Sequence, residues 1–158
     1  MFKFLLGEKF KEIKTMKTKT ITVETSIKAP IEKVWSYWTE PKDITHWYNA
    51  SDDWHAPNAE NDLQVNGKFK TTMAAKDGTA SFDFEGVYTK IVRHKSIEYT
   101  IPDGRKVIIS FSSLGTVTKI VESFEAETEN SFEIQKGGWQ NILDNFKNYS
   151  ESKILKNK

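Results

Sequence analysis

The second half of the chain is a run of short period-two segments, broken by glycine-containing turns, that ends in one long amphipathic segment. Phe69, Thr71 and Met73 alternate with polar neighbours and are followed by Asp77-Gly78. Phe82, Phe84, Gly86 and Tyr88 share one face of the next segment, and Asp83, Glu85 and Thr89 take the other. Ile97, Tyr99 and Ile101 lead to Asp103-Gly104; Val107, Ile109 and Phe111 lead to Leu114-Gly115; Ile120, Glu122 and Phe124 hold one face of the last segment. A period of two belongs to half-buried strands, and Asp-Gly is a strong hairpin signal, so the pattern predicts an antiparallel meander. Trp139, Ile142, Leu143, Phe146 and Tyr149 then recur at helical spacing, which predicts one helix over residues 131–152 with Asn130 and Glu133 as its cap and reciprocal acid. A helix of about 20 residues is a rod ~30 Å long and ~10 Å wide, whereas six strands ~4.8 Å apart make a sheet ~25–30 Å broad. One helix covers such a face only if the sheet curls around it. Curling leaves a space to be filled by large side chains or by a ligand.

Upstream, Ile21, Val23, Thr25 and Ile27 alternate with polar residues as a first strand. Pro30 suits a first helical position, with Ile31, Val34, Trp35 and Trp38 as one apolar face; Pro41 opens a second short helix bearing Ile44, Trp47 and Tyr48. Residues 49–66 are polar and without clear period, and read as a long loop carrying Pro57 and the cluster Asp52, Asp53, Trp54 and His55. The fold class expected is α+β: a curved antiparallel sheet of about six strands around a long C-terminal helix, with two short helices after the first strand. At 158 residues this is one domain, placed at residues 20–152, with residues 1–19 as an extension and 153–158 as a basic tail. The extension has helical spacing at Phe2, Leu5, Leu6, Phe10 and Ile13, and reads as a short docking helix or as dispensable.

Charge and cysteine exclude whole classes of function. Six lysines and two glutamates lie in the first nineteen residues, four lysines and one glutamate in the last twelve, yet the net charge is only +1. The body between is therefore acidic and does not attract phosphate backbones, so no nucleic-acid partner is expected. Cysteine is absent, which removes disulfides, thiolate zinc sites and cysteine nucleophiles, and fits a cytoplasmic location. No apolar run approaches a membrane span.

The run APIEKVWSYWTEPKDITHWY, followed in order by NDLQVNGKF, DGTASFDFEGVYTKIV, SIEYTIPDGRKVIISF, TKIVESFEAE and QKGGWQNILDNFKNY, resembles the START-like, birch-pollen-allergen-like superfamily (SRPBCC). Within it the chain is similar to the bacterial branch named after the activator of the heat-shock-protein ATPase (AHSA-type), also described as polyketide cyclase-like. The resemblance spans about residues 20–152 and implies the helix-grip architecture with a hydrophobic cavity. Asn66-Gly67 stands where the branch often has Gly-Gly, a small departure because Asn tolerates positive φ. The eukaryotic activator's additional chaperone-engaging domain cannot be supplied by residues 1–19, so the family name does not carry chaperone activity across.

No nucleophile elbow, zincin motif, phosphate loop or dinucleotide fingerprint is present, and His46, His55 and His94 form no i, i+4 metal pair. Neither a metal nor a cofactor is expected. Trp54 reads as a pocket wall, with His55 or Asp53 bonding a ligand or moving a proton; the alternative is a loop pinned by a buried tryptophan. Glu122 falls on the apolar parity of its strand, where desolvation would raise its pKa and make it an acid, base or polar hook; an exposed strand end would remove that role. Arg105 reads as the partner of a neighbouring acid. Phe69, Met73, Phe82, Phe84, Tyr88, Tyr99, Phe111, Gly138, Trp139, Ile142 and Phe146 read individually as core and together as the lining of an apolar pocket. The function expected is binding of a small hydrophobic or amphipathic molecule. Its rivals are a cyclase, dehydratase or hydrolase using the same cavity, and a chaperone-associated stress-response protein, as monomer or homodimer.

Overall fold

A computed structural model of the chain describes residues 19–156. Strand β1 (Thr20–Ile27) leads to helices α1 (Ile31–Thr39) and α2 (Pro41–Trp47). Six strands follow, β2 (Trp54–Asn61), β3 (Lys68–Ala75), β4 (Ser81–Val92), β5 (Ser96–Thr100), β6 (Lys106–Leu114) and β7 (Val117–Glu125), before helix α3 (Phe132–Lys156). The sheet runs β1-β7-β6-β5-β4-β3-β2, antiparallel throughout, so the meander is completed by the first strand pairing with the last. This is the curled helix-grip arrangement that the strand periods require. The two Asp-Gly turns place Gly78 and Gly104 at φ +80° and +92°, and the carboxylates of Asp77 and Asp103 accept the N–H of Thr79 and Arg105. Positive φ is the reason for glycine there.

Three boundaries differ from the sequence reading. Residues 54–61, expected within a loop, form the edge strand β2, which makes seven strands rather than six. Its polar composition conceals it because only one neighbour pairs with it, and Pro57 sits where the register slips between His55 and Asn58, a position that tolerates a missing N–H. Helix α3 continues to Lys156 instead of ending near residue 152. Ile154 packs on the core and the Lys147–Glu151 pair spans one turn at 3.1 Å, so residues 153–156 are helical rather than a tail. The helix is capped by Ser131, whose Oγ accepts the Ile134 N–H at 3.2 Å, while Asn130 offers its carbonyl to Gln135. The readings of residues 1–18 and 157–158 lie outside the described residues.

Helix α3 leans on β1 and on the two short helices. Its Leu143 and Phe146 are fully buried, and the Phe146 ring meets Trp38 at 4.8 Å and Trp47 at 4.7 Å. Trp47 Nε1 donates to the Tyr37 carbonyl at 3.1 Å, which ties α2 to α1. Edge-to-face and tilted rings of this kind add roughly 0.5–1.5 kcal/mol per pair beyond burial. One end of the helix is thus sealed against the sheet.

Candidate functional site

The other end is not sealed. Between the N-terminal half of α3 and strands β3 and β4 runs an open groove of about 330 Å³, lined by Tyr48, Met73, Phe82, Phe84, Ile134, Gly138, Trp139 and Ile142 among others. Deeper in lies a cavity of about 40 Å³ whose wall is mostly aromatic and aliphatic, with Trp38, Trp47, Tyr48, Phe69, Tyr88 and Tyr99 among its residues, and which also carries the polar side chains of Glu60, Asn61 and Thr71. Tyr48 belongs to both, so its ring is the partition between them. Two glycines shape this space. A Cβ on Gly138 would meet nothing within 4 Å, whereas one on Gly86 would lie 2.7 Å from the Phe69 ring, which rests directly on the Gly86 backbone. The first leaves room at the mouth, and the second lets an aromatic wall lie flat on the sheet.

Glu122 is the chemical anomaly of the interior. It points to the concave face of β7 between Ile120 and Phe124, opposite Val23 on β1 and Ile109 on β6, and is only 5% exposed. No hydrogen bond or ion pair reaches its carboxyl among the described residues. Burial pushes its pKa up to about 8, since a carboxylate without water or counter-charge favours its neutral form. Two phenols share its surroundings. Burial raises Tyr48 and Tyr99 well above the usual tyrosine range, and the charge on Glu122 adds to both shifts. Neither hydroxyl has a hydrogen-bond partner among the described residues. Tyr88 differs: its hydroxyl donates to Asn61 Oδ1 at 2.6 Å, and Asn61 in turn donates to the Thr39 carbonyl at 2.7 Å. Tyr88 is anchored, while among the described residues no side-chain hydrogen bond is made by Tyr48, Tyr99 or Glu122, and the one fully enclosed side-chain oxygen without a partner is Ser150 Oγ on α3. An unpaired buried polar group costs roughly 1–3 kcal/mol.

The residues singled out in the sequence divide by place. Phe69, Tyr88 and Tyr99 wall the cavity, while Met73, Phe82, Phe84, Gly138, Trp139 and Ile142 line the groove. Phe82 stands at its outer lip, 52% exposed, with the half-buried Trp54 beside it at 5.8 Å. Phe111 and Phe146 are packed among tryptophans in the sealed core. His55 lies exposed on the strand position following Trp54, the side of β2 turned from the interior. Asp53 is exposed and accepts the Ser51 hydroxyl at 2.5 Å. Arg105 pairs with Asp103 at 2.8 Å and stands at the groove's rim. Tyr48 was missed as a site residue: its place on the apolar face of α2 is legible, but its position in the cavity wall beside Phe84 and Tyr99 arises only when the topology packs α2 on β2. Among the described residues no group of three or more histidine, aspartate or glutamate side chains could hold a metal, and no helix is long and apolar enough to cross a membrane.

Residues 28–151 match the family model described as "Activator of Hsp90 ATPase homolog 1-like protein". The chain belongs to this family. An AHSA1-like protein from Aeromonas hydrophila has a solution structure with 42% identity and a TM-score of 0.82, covering 87% of this chain and 95% of that one. A solution structure of a protein from Cytophaga hutchinsonii shows 54% identity and a TM-score of 0.74, over 86% and 94%. A crystal structure of a protein from Nitrosomonas europaea shares the fold at 17% identity, with a TM-score of 0.73 over 85% and 95%. Comparison with curated proteins finds no match. These three structures are covered over almost their whole length by this chain, and residues 28–151 include those that line the groove under α3.

Proposed function

We propose that this AHSA1-like chain is a binding protein for a small hydrophobic or amphipathic molecule, held between α3 and the concave face of the sheet. The observation that carries the reading is the groove of about 330 Å³ between α3, β3 and β4, which Tyr48 separates from the inner cavity. Its wall is mostly aromatic and aliphatic with a few polar groups, the composition of small-molecule sites. Swinging the Tyr48 ring aside would join the two spaces.

The test is uptake of N-phenyl-1-naphthylamine, a neutral probe that fluoresces in apolar surroundings, together with native mass spectrometry of the protein as purified. Saturable uptake that quenches Trp139 emission is the expected result. A chain that takes up no probe but retains Hsp90 on a column would replace this reading with the chaperone-linked one carried by the family's description.

A further inference from the structure

We propose a second binding site, for a free phosphorylated polyol such as a sugar phosphate, in a polar hollow of about 350 Å³. The hollow lies where α1, α2 and the C-terminal half of α3 meet, and it shares no lining residue with the groove or the inner cavity. Each helix supplies two side chains one turn apart: Lys33 and Tyr37 from α1, Lys42 and His46 from α2, Tyr149 and Lys153 from α3. Residues four apart share a helix face, so the three pairs converge on one space. Tyr149 is the hub. Its ring lies parallel to that of His46 at 5.7 Å and edge-on to that of Tyr37 at 5.8 Å. Lys153 Nζ stands 5.8 Å from its centre, and its hydroxyl donates to Asp43 Oδ1.

The hollow has a cationic rim and a built floor. Lys33 and Lys42 are exposed and Lys153 is half-buried; none of the three pairs with a carboxylate among the described residues. The floor holds two polar side chains more than nine-tenths buried, Asp43 at 4% exposure and Tyr37 at 7%. Asp43 Oδ2 and the Tyr37 hydroxyl make no hydrogen bond among the described residues. Neither atom is fully enclosed, so both open onto the hollow that their residues line. Three lysines against one carboxylate leave an excess of positive charge on a body that is otherwise acidic. A phosphomonoester carries about −1.5 to −2 charge at neutral pH and three acceptor oxygens, and lysine meets phosphate as a point charge. The floor sets the other end of the ligand. The Asp43 carboxylate repels an anion and accepts a hydroxyl. Burial and the Asp43 charge hold Tyr37 above the usual tyrosine range, so it stays a donor. A bare anion leaves this floor unused, and a neutral sugar leaves the lysines unused. A phosphate joined to a hydroxyl-bearing skeleton uses both.

The experiment is isothermal titration calorimetry of the full chain with ribose 5-phosphate, glucose 6-phosphate and glycerol 3-phosphate, against ribose and inorganic phosphate. At least one phosphorylated polyol should bind saturably and about tenfold or more tighter than inorganic phosphate, the effect of one hydrogen bond to a charged group. Ribose alone should not bind. Lys33→Gln, Lys42→Gln and Lys153→Gln should each weaken that ligand about three- to tenfold at an unchanged melting temperature. Lys76→Gln, on the turn after β3, should leave it within about twofold. Asp43→Asn still accepts from Tyr149 but lacks the charge, so it should bring that ligand and inorganic phosphate within about threefold of each other. Failure of all three phosphorylated polyols to bind at up to about 10 mM, ten times the dissociation constant of a millimolar site, overturns the proposal. So does inorganic phosphate binding as tightly as they do, which leaves only a cationic patch, and so does equal weakening by Lys76→Gln. Cosedimentation with vesicles holding phosphatidylinositol 4-phosphate, without binding of any free ligand, overturns it in favour of a lipid headgroup. Uptake of N-phenyl-1-naphthylamine should be the same in every lysine variant, so this site and the groove stand or fall separately.

Discussion

Helix α3 meets the same sheet in two ways along its length. Its second half presents Leu143 and Phe146, both fully buried, with the Phe146 ring packed on Trp38 and Trp47. Its first half presents Ile134, 65% exposed, and Gly138, with open space where a side chain would be. The difference lies in side-chain volume rather than in backbone. Large residues placed every three or four positions close one half, and a glycine on the inward stripe holds the other open. A grip fold therefore separates the contacts that stabilise it from the space it leaves vacant.

Damage to the sealed half should therefore be the most severe. Phe146→Ala removes a ring packed on Trp38 and Trp47, and should cost about 3–5 kcal/mol in urea denaturation, the usual range for buried Phe→Ala. A cost below about 1 kcal/mol would mean that this end of the helix is not the core.

Glu122, buried in the middle of β7, should reveal itself through pH. Its folded-state pKa is raised from 4.5 to about 8, so between those values the folded chain holds a proton that the unfolded chain has released. The stability contributed there is complete below about pH 4.5, is lost progressively as pH rises to 8, and then stays level. Glu122→Gln should abolish that slope. It should be more stable than the wild-type protein by about 2–4 kcal/mol at pH 8 and no more stable at pH 4.5. Denaturation midpoints at the two pH values decide it; equal differences at both would place the carboxyl in water.

A milder effect is expected at Gly86. Alanine there would force the Phe69 ring from 2.7 Å into the cavity, an overpacking that costs about 1–3 kcal/mol. Thermal denaturation with probe titration should show both a lower midpoint and weaker uptake. An unchanged midpoint would show that Phe69 is loose.

How far these features can be read without coordinates depends on whether a local pattern carries them. The strands β3 to β7 have a period of two and glycine turns, and Glu122 falls on an inward parity that the fold confirms. Strand β2 has no such period, because an edge strand of polar residues with Pro57 at its bulge satisfies half its backbone with solvent. The same blind spot drew attention to Asp53 and His55: rich chemistry in an unpatterned stretch resembles a functional loop, and only the pairing of β2 with β3 shows His55 on the outer side. Tyr48 poses the opposite problem. Its sequence neighbourhood describes an apolar helix face, and the partition it forms arises from contacts with Phe84 and the cavity wall far along the chain.

The smallest change in stability, and the one that speaks most directly to the open half, is at Gly138. Leucine there gains helix propensity worth somewhat under 1 kcal/mol, and its Cβ meets nothing within 4 Å. The side chain would extend into the groove among Phe84, Trp139 and Ile142, where it occupies volume without displacing packed atoms. Gly138→Leu should therefore melt at or slightly above the wild-type temperature while N-phenyl-1-naphthylamine uptake falls at least tenfold. Gly137→Leu, one position round the helix on the exposed side and also without neighbours within 4 Å, gains the same propensity and should leave uptake unchanged. The pair separates occupation of the groove from a general effect on the helix. A sharp loss of stability in Gly138→Leu would mean that the two halves of α3 are equally closed. Equal uptake by both variants would mean that the probe does not lie under the helix.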